Sequence, residues 1–275
     1  MTLNACWRNG QPIQQLSPLE RGLAYGDGVF TTMAVRQGRA ALLAYHWQRL
    51  EHGCQRLAIN TPNFSQWQDD FRRFLICYPE MTAKIIITRG EGGRGYLPDL
   101  LAQPNCYFYA FPVVSYPESY QQVISTDFLF GRLGVSPLLA GIKHLNRLEQ
   151  VLLRQELAQT SYPEALVCDV TGKVIEGVFS NVFMVKNQQL LTPYVNEAGV
   201  AGVMRRYILQ LAAELGIIAH EKNLMPADFL AADEVFFCNS LYGIWPVAKI
   251  AGTMLPSHSL TQKLQSQLEQ RLSYV

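Results

Sequence analysis

Two stretches of the N-terminal third repeat apolar residues every third or fourth position. Trp47, Leu50, Cys54 and Leu57 make one stripe and predict a helix from about Tyr45 to Leu57. Phe64, Trp67, Phe71, Phe74 and Leu75 make a second, over residues 64–77. Around them, β-branched and aromatic runs bounded by turn residues predict strands. Val29 to Val35 is one, turning at Gln37-Gly38 and returning from Ala40 to Leu43; residues 83–88, 105–114 and 123–129 are others. Asn9-Gly10 marks a hairpin within residues 3–15. Further on, strands are predicted at residues 165–170, 174–177, 233–238 and 244–250, with Leu190–Pro193 as an exposed strand end. Leu145, Leu148, Leu152, Leu153 and Leu157 predict an amphipathic helix from Leu145 onward, and Gly199 to Arg205 opens another through Leu209, Leu211, Leu215 and Ile217. A polar helix from Thr261 to Leu272 closes the chain.

This interleaving predicts an α+β (mixed α/β) fold. Pro112 and Pro117, among small and polar residues, suggest a boundary. The expected division is a smaller N-terminal α/β lobe (residues 1–115), a linker (116–122) and a larger C-terminal lobe (123–275), a length sufficient for two cores. Net charge is +1 with 16% charged residues, which leaves no electrostatic footprint for nucleic acid and points to a small-molecule ligand. Six cysteines lack both C-x-x-C and paired histidine spacing, so they read as reduced core thiols with no metal site. The N-terminus lacks a basic and then apolar leader, and eighteen apolar residues never run together. The expectation is a soluble cytoplasmic protein with no membrane partner.

Candidate chemistry centres on Lys143. The uncharged run Pro137-Leu-Leu-Ala-Gly141 precedes it, and desolvation there disfavours an ammonium, as Schiff-base chemistry with a carbonyl cofactor requires. On the local pattern alone, a lysine at a helix start with its head in solvent is the commoner arrangement. Glu176 interrupts apolar sequence and needs a partner, because an unpaired buried carboxylate is costly. The glycines ahead of Val203 and Met204 leave backbone amides free to hold an anion, although many helices simply begin this way. Gly90-Glu-Gly-Gly-Arg-Gly95 satisfies G-x-G-x-x-G, but Tyr96-Leu97-Pro98 follows where a dinucleotide fingerprint would open a helix. Dinucleotide binding is therefore rejected, and a flexible loop is expected instead.

The run Leu139-Ala-Gly-Ile-Lys-His-Leu-Asn-Arg-Leu-Glu-Gln150 resembles the cofactor-lysine segment of the 4-amino-4-deoxychorismate lyases. These belong to the fold-type IV pyridoxal-phosphate enzymes, with branched-chain and D-amino-acid transaminases. Tyr25-Gly-Asp-Gly-Val-Phe30 and the Arg89 to Tyr96 loop resemble the same family. The resemblance implies two lobes with a pyridoxal 5'-phosphate cleft between them, Lys143 as the catalytic amine, and Glu176 at the pyridine nitrogen. Cofactor phosphate would fall to Arg49, to the amides of Val203 and Met204, and to the turn at Asn239 and Ser240, with Ser180 and Asn181 lining the cleft. Phe30 and Thr32 would face the substrate, and Arg94 and Tyr96 would hold its carboxylate. A homodimer is implied as well. The implied reaction turns 4-amino-4-deoxychorismate into 4-aminobenzoate and pyruvate; a transaminase on the same scaffold and a non-catalytic binding member are the alternatives.

Overall fold

The computed structural model describes residues 3–99 and 101–272, so the outer ends of the two expected lobes lie outside the described residues. The chain divides into two units. The described residues up to Ser115 form one together with Ile142–Asn146, and Tyr116–Gly141 with Arg147–Leu272 form the other. The lysine segment thus leaves the C-terminal part of the chain and joins the N-terminal one.

The first unit is a six-stranded antiparallel sheet in the order Gln11–Pro12, Ala5–Arg8, Asn105–Phe111, Met81–Thr88, Gly28–Arg36, Arg39–Ala40. The hairpin turns at Asn9-Gly10 with φ of +48° and +78°, the left-handed pair that a two-residue turn of this kind needs. Period-two alternation sorts the sheet's faces. Val29, Met33, Ile85 and Phe108 turn to one side, where Trp47, Leu50, Cys54, Phe71 and Phe74 cover them. Burying each such side chain contributes about 1.5–3 kcal/mol. The covering helices are Leu43–Arg56, two residues earlier than the stripe predicts, and Phe64–Cys77, as predicted. The return strand is only Arg39–Ala40, because the helix begins at Leu43.

In the second unit one sheet runs Ala219–Lys222, Gln189–Pro193, Asn181–Lys186, Glu234–Asn239, Gly243–Ile250, Thr253–Met254, with Ile124–Thr126 also paired to Gly243–Ile250. A three-stranded sheet holds Val174–Gly177, Leu166–Asp169 and Phe128–Leu133. Several expectations change here. The strand predicted over 123–129 is broken at Asp127, whose side chain accepts from the Phe128 amide. Gln189–Pro193 is buried between two neighbours, not an exposed end. The segment read as a linker carries a helical turn, Ser119–Gln122, with Tyr116 and Tyr120 edge-on to Trp245. All six cysteines are free; Cys54, Cys106, Cys168 and Cys238 are buried, while Cys6 is half-buried and Cys77 exposed. Among the described residues, no helix is long and apolar enough to cross a membrane.

Candidate active site

Lys143 does not open a helix. The helix begins at Leu148, because the backbone before it is committed elsewhere. The Phe30 amide donates to the Lys143 carbonyl at 2.9 Å, the Leu145 amide donates to the Gly28 carbonyl at 3.0 Å, and His144 bridges Val29. The segment therefore lies along strand Gly28–Arg36 like an added strand, with Ile142 buried in the core. Asn146 Nδ2 donates to the Gly26 carbonyl, and a Cβ on Gly26 would strike that asparagine. Close packing also needs Gly53 on the covering helix, where a Cβ would come 2.8 Å from Val29. So fixed, the Lys143 ammonium sits 4.7 Å from the centroid of the Phe30 ring.

Arg49 donates to the Thr31 hydroxyl, which also meets His46 Nδ1 at 2.5 Å. His46 is wholly buried. Burial lowers its pKa well below the usual range, and the positive charges of Arg49 and Lys143 add to the effect. A neutral imidazole thus holds Arg49's hydroxyl partner in place. The His-x-x-Arg spacing puts both residues on one helix face, but Thr31 is a partner that only the tertiary structure reveals.

The glycine-rich bend at 21–28 contains a short helix, Arg21–Tyr25, and Asp27 is its electrostatic centre. Arg21 and Arg89 both pair with Asp27, the latter through two nitrogens. Arg21 also donates to the carbonyls of Gly95 and Tyr96, so the loop of residues 90–96 is held through its backbone. Its side chains are left outside. Arg94 is exposed, and Tyr96 is 90% exposed with its ring edge near Tyr25.

In the second unit, Glu176 is buried on strand Val174–Gly177 and accepts from the Val200 amide at 2.9 Å. Gly199 makes this approach feasible, since at φ +79° a Cβ would fall 3.3 Å or less from the carboxylate and 2.5 Å from Ile175. Asn181 Nδ2 donates to the Val200 carbonyl at 2.8 Å, and a Cβ on Gly202 would meet Asn181 Oδ1 at 2.0 Å. Helix Val203–Glu214 starts directly after, and its N-cap Gly202 supplies no capping side chain. The amides of Val203 and Met204 thus begin a helix whose dipole favours an anion. Burial lowers the pKa of Arg147, with the carboxylates of Glu176 and Glu149 opposing the shift.

Ser180 donates to Glu164, a carboxylate the sequence reading missed. Glu164 is fully buried and also accepts from the amides of Ala165, Val178 and Phe179. Burial pushes its pKa up to about 7 against the pull of those donors. Asn239 Oδ1 accepts from the amides of Leu241 and Tyr242, which shapes the turn containing Ser240.

Within the first unit a lysine amine lies over an aromatic ring, and within the second a buried glutamate lies among glycines ahead of an uncapped helix start. The family model for class IV amino-transferases matches residues 28–250. The chain is 35% identical to an aminodeoxychorismate lyase of Vibrio harveyi over 270 residues, covering 95% of this chain and 98% of the relative. A crystal structure of the 4-amino-4-deoxychorismate lyase of Pseudomonas aeruginosa superposes with a TM-score of 0.94 at 44% identity, covering 97% of this chain and 99% of that one. The branched-chain amino acid aminotransferase of Escherichia coli shares the fold, with a TM-score of 0.87 at 22% identity and coverage of 98% and 95%. The fold is that of a fold-type IV pyridoxal-phosphate enzyme. The chain belongs to the class IV aminotransferase family.

Proposed function

We propose that this chain is a lyase that converts 4-amino-4-deoxychorismate into 4-aminobenzoate and pyruvate. One combination carries the reading: Lys143 is held by backbone bonds beside Phe30 in a chain that matches two such lyases nearly end to end. Bound pyridoxal phosphate supplies a carbonyl for the substrate amine and a ring that accommodates the electron pair left by proton loss. Lys143 takes the proton from C4, the carbon bearing that amine. The C3–oxygen bond then breaks, the six-membered ring becomes aromatic, and the enolpyruvyl group leaves and takes up a proton as pyruvate. Glu176 would pair with the protonated ring nitrogen of the bound group; the Val200 amide donates to this carboxylate, and Asn181 holds the Val200 carbonyl. Arg49, the Val203 and Met204 amides, and the turn at Asn239 and Ser240 would hold its phosphate. Ser180 lines the site, Phe30 and Thr32 face the substrate, and Arg94 and Tyr96 meet its carboxylate.

Two further readings accompany this one. The active form is a homodimer, a reading supported by large apolar side chains left exposed in the second unit, Phe130 at 91% and Leu148 at 71%. Its compartment is the cytoplasm, as six free cysteines suggest. Pyruvate release from 4-amino-4-deoxychorismate without any oxo-acid acceptor tests the activity. Strict dependence on an acceptor would make the chain a transaminase instead.

A further inference from the structure

Glu164 takes no part in the chemistry proposed above, yet three of its four partners lie on the short stretch between two residues that do. It sits just ahead of strand Leu166–Asp169 and is fully buried. Its Oε1 accepts from the amides of Ala165 at 3.0 Å and Val178 at 2.8 Å. Its Oε2 accepts from the Phe179 amide at 3.4 Å and the Ser180 hydroxyl at 2.7 Å. The carboxylate's four acceptor positions are therefore all used, where a glutamine would offer a single acceptor oxygen. Burying a carboxylate is costly, and here the donors that offset the cost belong mainly to one turn.

That turn, residues 177–180, joins strand Val174–Gly177 to strand Asn181–Lys186. The Gly177 amide closes it by donating to the Ser180 carbonyl at 2.8 Å. Glu164 packs so closely beneath it that a Cβ on Gly177 would fall 3.0 Å from the glutamate's carboxyl carbon and 2.3 Å from Ser180 Oγ. Glu176 and Asn181 flank the turn, and both hold Val200, the first through its amide and the second through its carbonyl. Any shift of the turn is thus passed to both. We infer that Glu164 is a positioning residue: by clamping residues 178–180 from below, it sets the direction in which Glu176 meets the ring nitrogen of bound pyridoxal phosphate. This rests on the reading of Glu176 given above and names the group that holds it in place.

The test is equilibrium dialysis of the folded chain against pyridoxal phosphate and against its 1-deaza analogue, in which a CH replaces the ring nitrogen. Both compounds keep the aldehyde and the phosphate, so the ratio of their affinities isolates the contact at that nitrogen. The wild type should prefer pyridoxal phosphate about 10- to 100-fold, as a hydrogen bond to a charged group does. Glu164→Gln leaves the Phe179 amide without its acceptor and should cut this preference about three- to tenfold, with 1-deaza binding changed by less than about twofold. A folded Glu164→Gln chain that keeps the wild-type preference, or that loses affinity for both compounds equally, overturns the inference and leaves Glu176 as the partner of the ring nitrogen. Equal wild-type affinities for the two compounds overturn the reading of Glu176, and the inference falls with it. Should Glu164→Gln not fold, Ser180→Ala decides: it removes one donor to Glu164 and should cut the preference at least about twofold, and an unchanged preference overturns the assignment.

Discussion

The Phe30 amide donates to the carbonyl of Lys143 at 2.9 Å, and the Lys143 ammonium returns to 4.7 Å from the Phe30 ring centroid. Backbone pairing and side-chain contact therefore use the same two residues. Removing the side chain leaves the backbone pairing intact. Lys143→Ala should fold with the wild-type circular dichroism spectrum, lose the visible absorption of the bound cofactor, and release pyruvate at least about a hundredfold more slowly.

Asp27 neutralises two arginines that have little contact with water. Asp27→Ala leaves both charges buried without that partner and should destabilise the first unit by about 3–5 kcal/mol in urea unfolding. Because Arg21 also holds the carbonyls of Gly95 and Tyr96, faster proteolysis within residues 90–96 should accompany the loss.

Gly199 adopts φ +79° with Ile175 and Glu176 against its α-carbon. Gly199→Ala should cost about 1–2 kcal/mol from the backbone conformation alone, with the clash adding to it. Displacing Glu176 should also weaken retention of pyridoxal phosphate, read by equilibrium dialysis of the holoenzyme.

The raised pKa of Glu164 has a definite sign in stability. The folded state holds its proton up to about pH 7, whereas an unfolded glutamate releases it near 4.5. Between those values the folded state binds more protons, so this group's contribution is full below the window and is lost as pH rises to about 7. His46 acts in the opposite sense: its pKa is lowered in the fold, so its contribution is lost as pH falls below the usual histidine range. Glu164→Gln should therefore steepen the rise of stability with pH across pH 5–7 relative to wild type, measured by urea midpoints at successive pH values.

Leu148 and Leu152 stand exposed on one helix, with Val151 half exposed beside them. If a second copy covers this face, Leu148→Asp combined with Leu152→Asp should convert a species of twice the chain mass into one of the chain mass in sedimentation equilibrium. A wild type that already sediments as a single chain rules out the homodimer.

By itself the sequence determined what depends on neighbours within a few residues. The Phe64–Cys77 helix follows from its stripe, the strand at Gly28–Arg36 from its β-branched run, and the hairpin from Asn9-Gly10. Resemblance in the lysine segment brought Lys143 and Glu176 forward as candidates, since that signal too is local. Tertiary structure decided where the Lys143 helix begins, because the Lys143 carbonyl and the Leu145 amide pair with Phe30 and Gly28, more than a hundred residues earlier, and hold the segment extended. Thr31 as the partner of Arg49, Glu164 as the anchor of Ser180, and Lys84 beside Lys143 on the Phe30 ring were settled in the same way. Periodicity records which face of an element is buried; what that face meets depends on contacts between positions far apart in the chain, which no local pattern encodes.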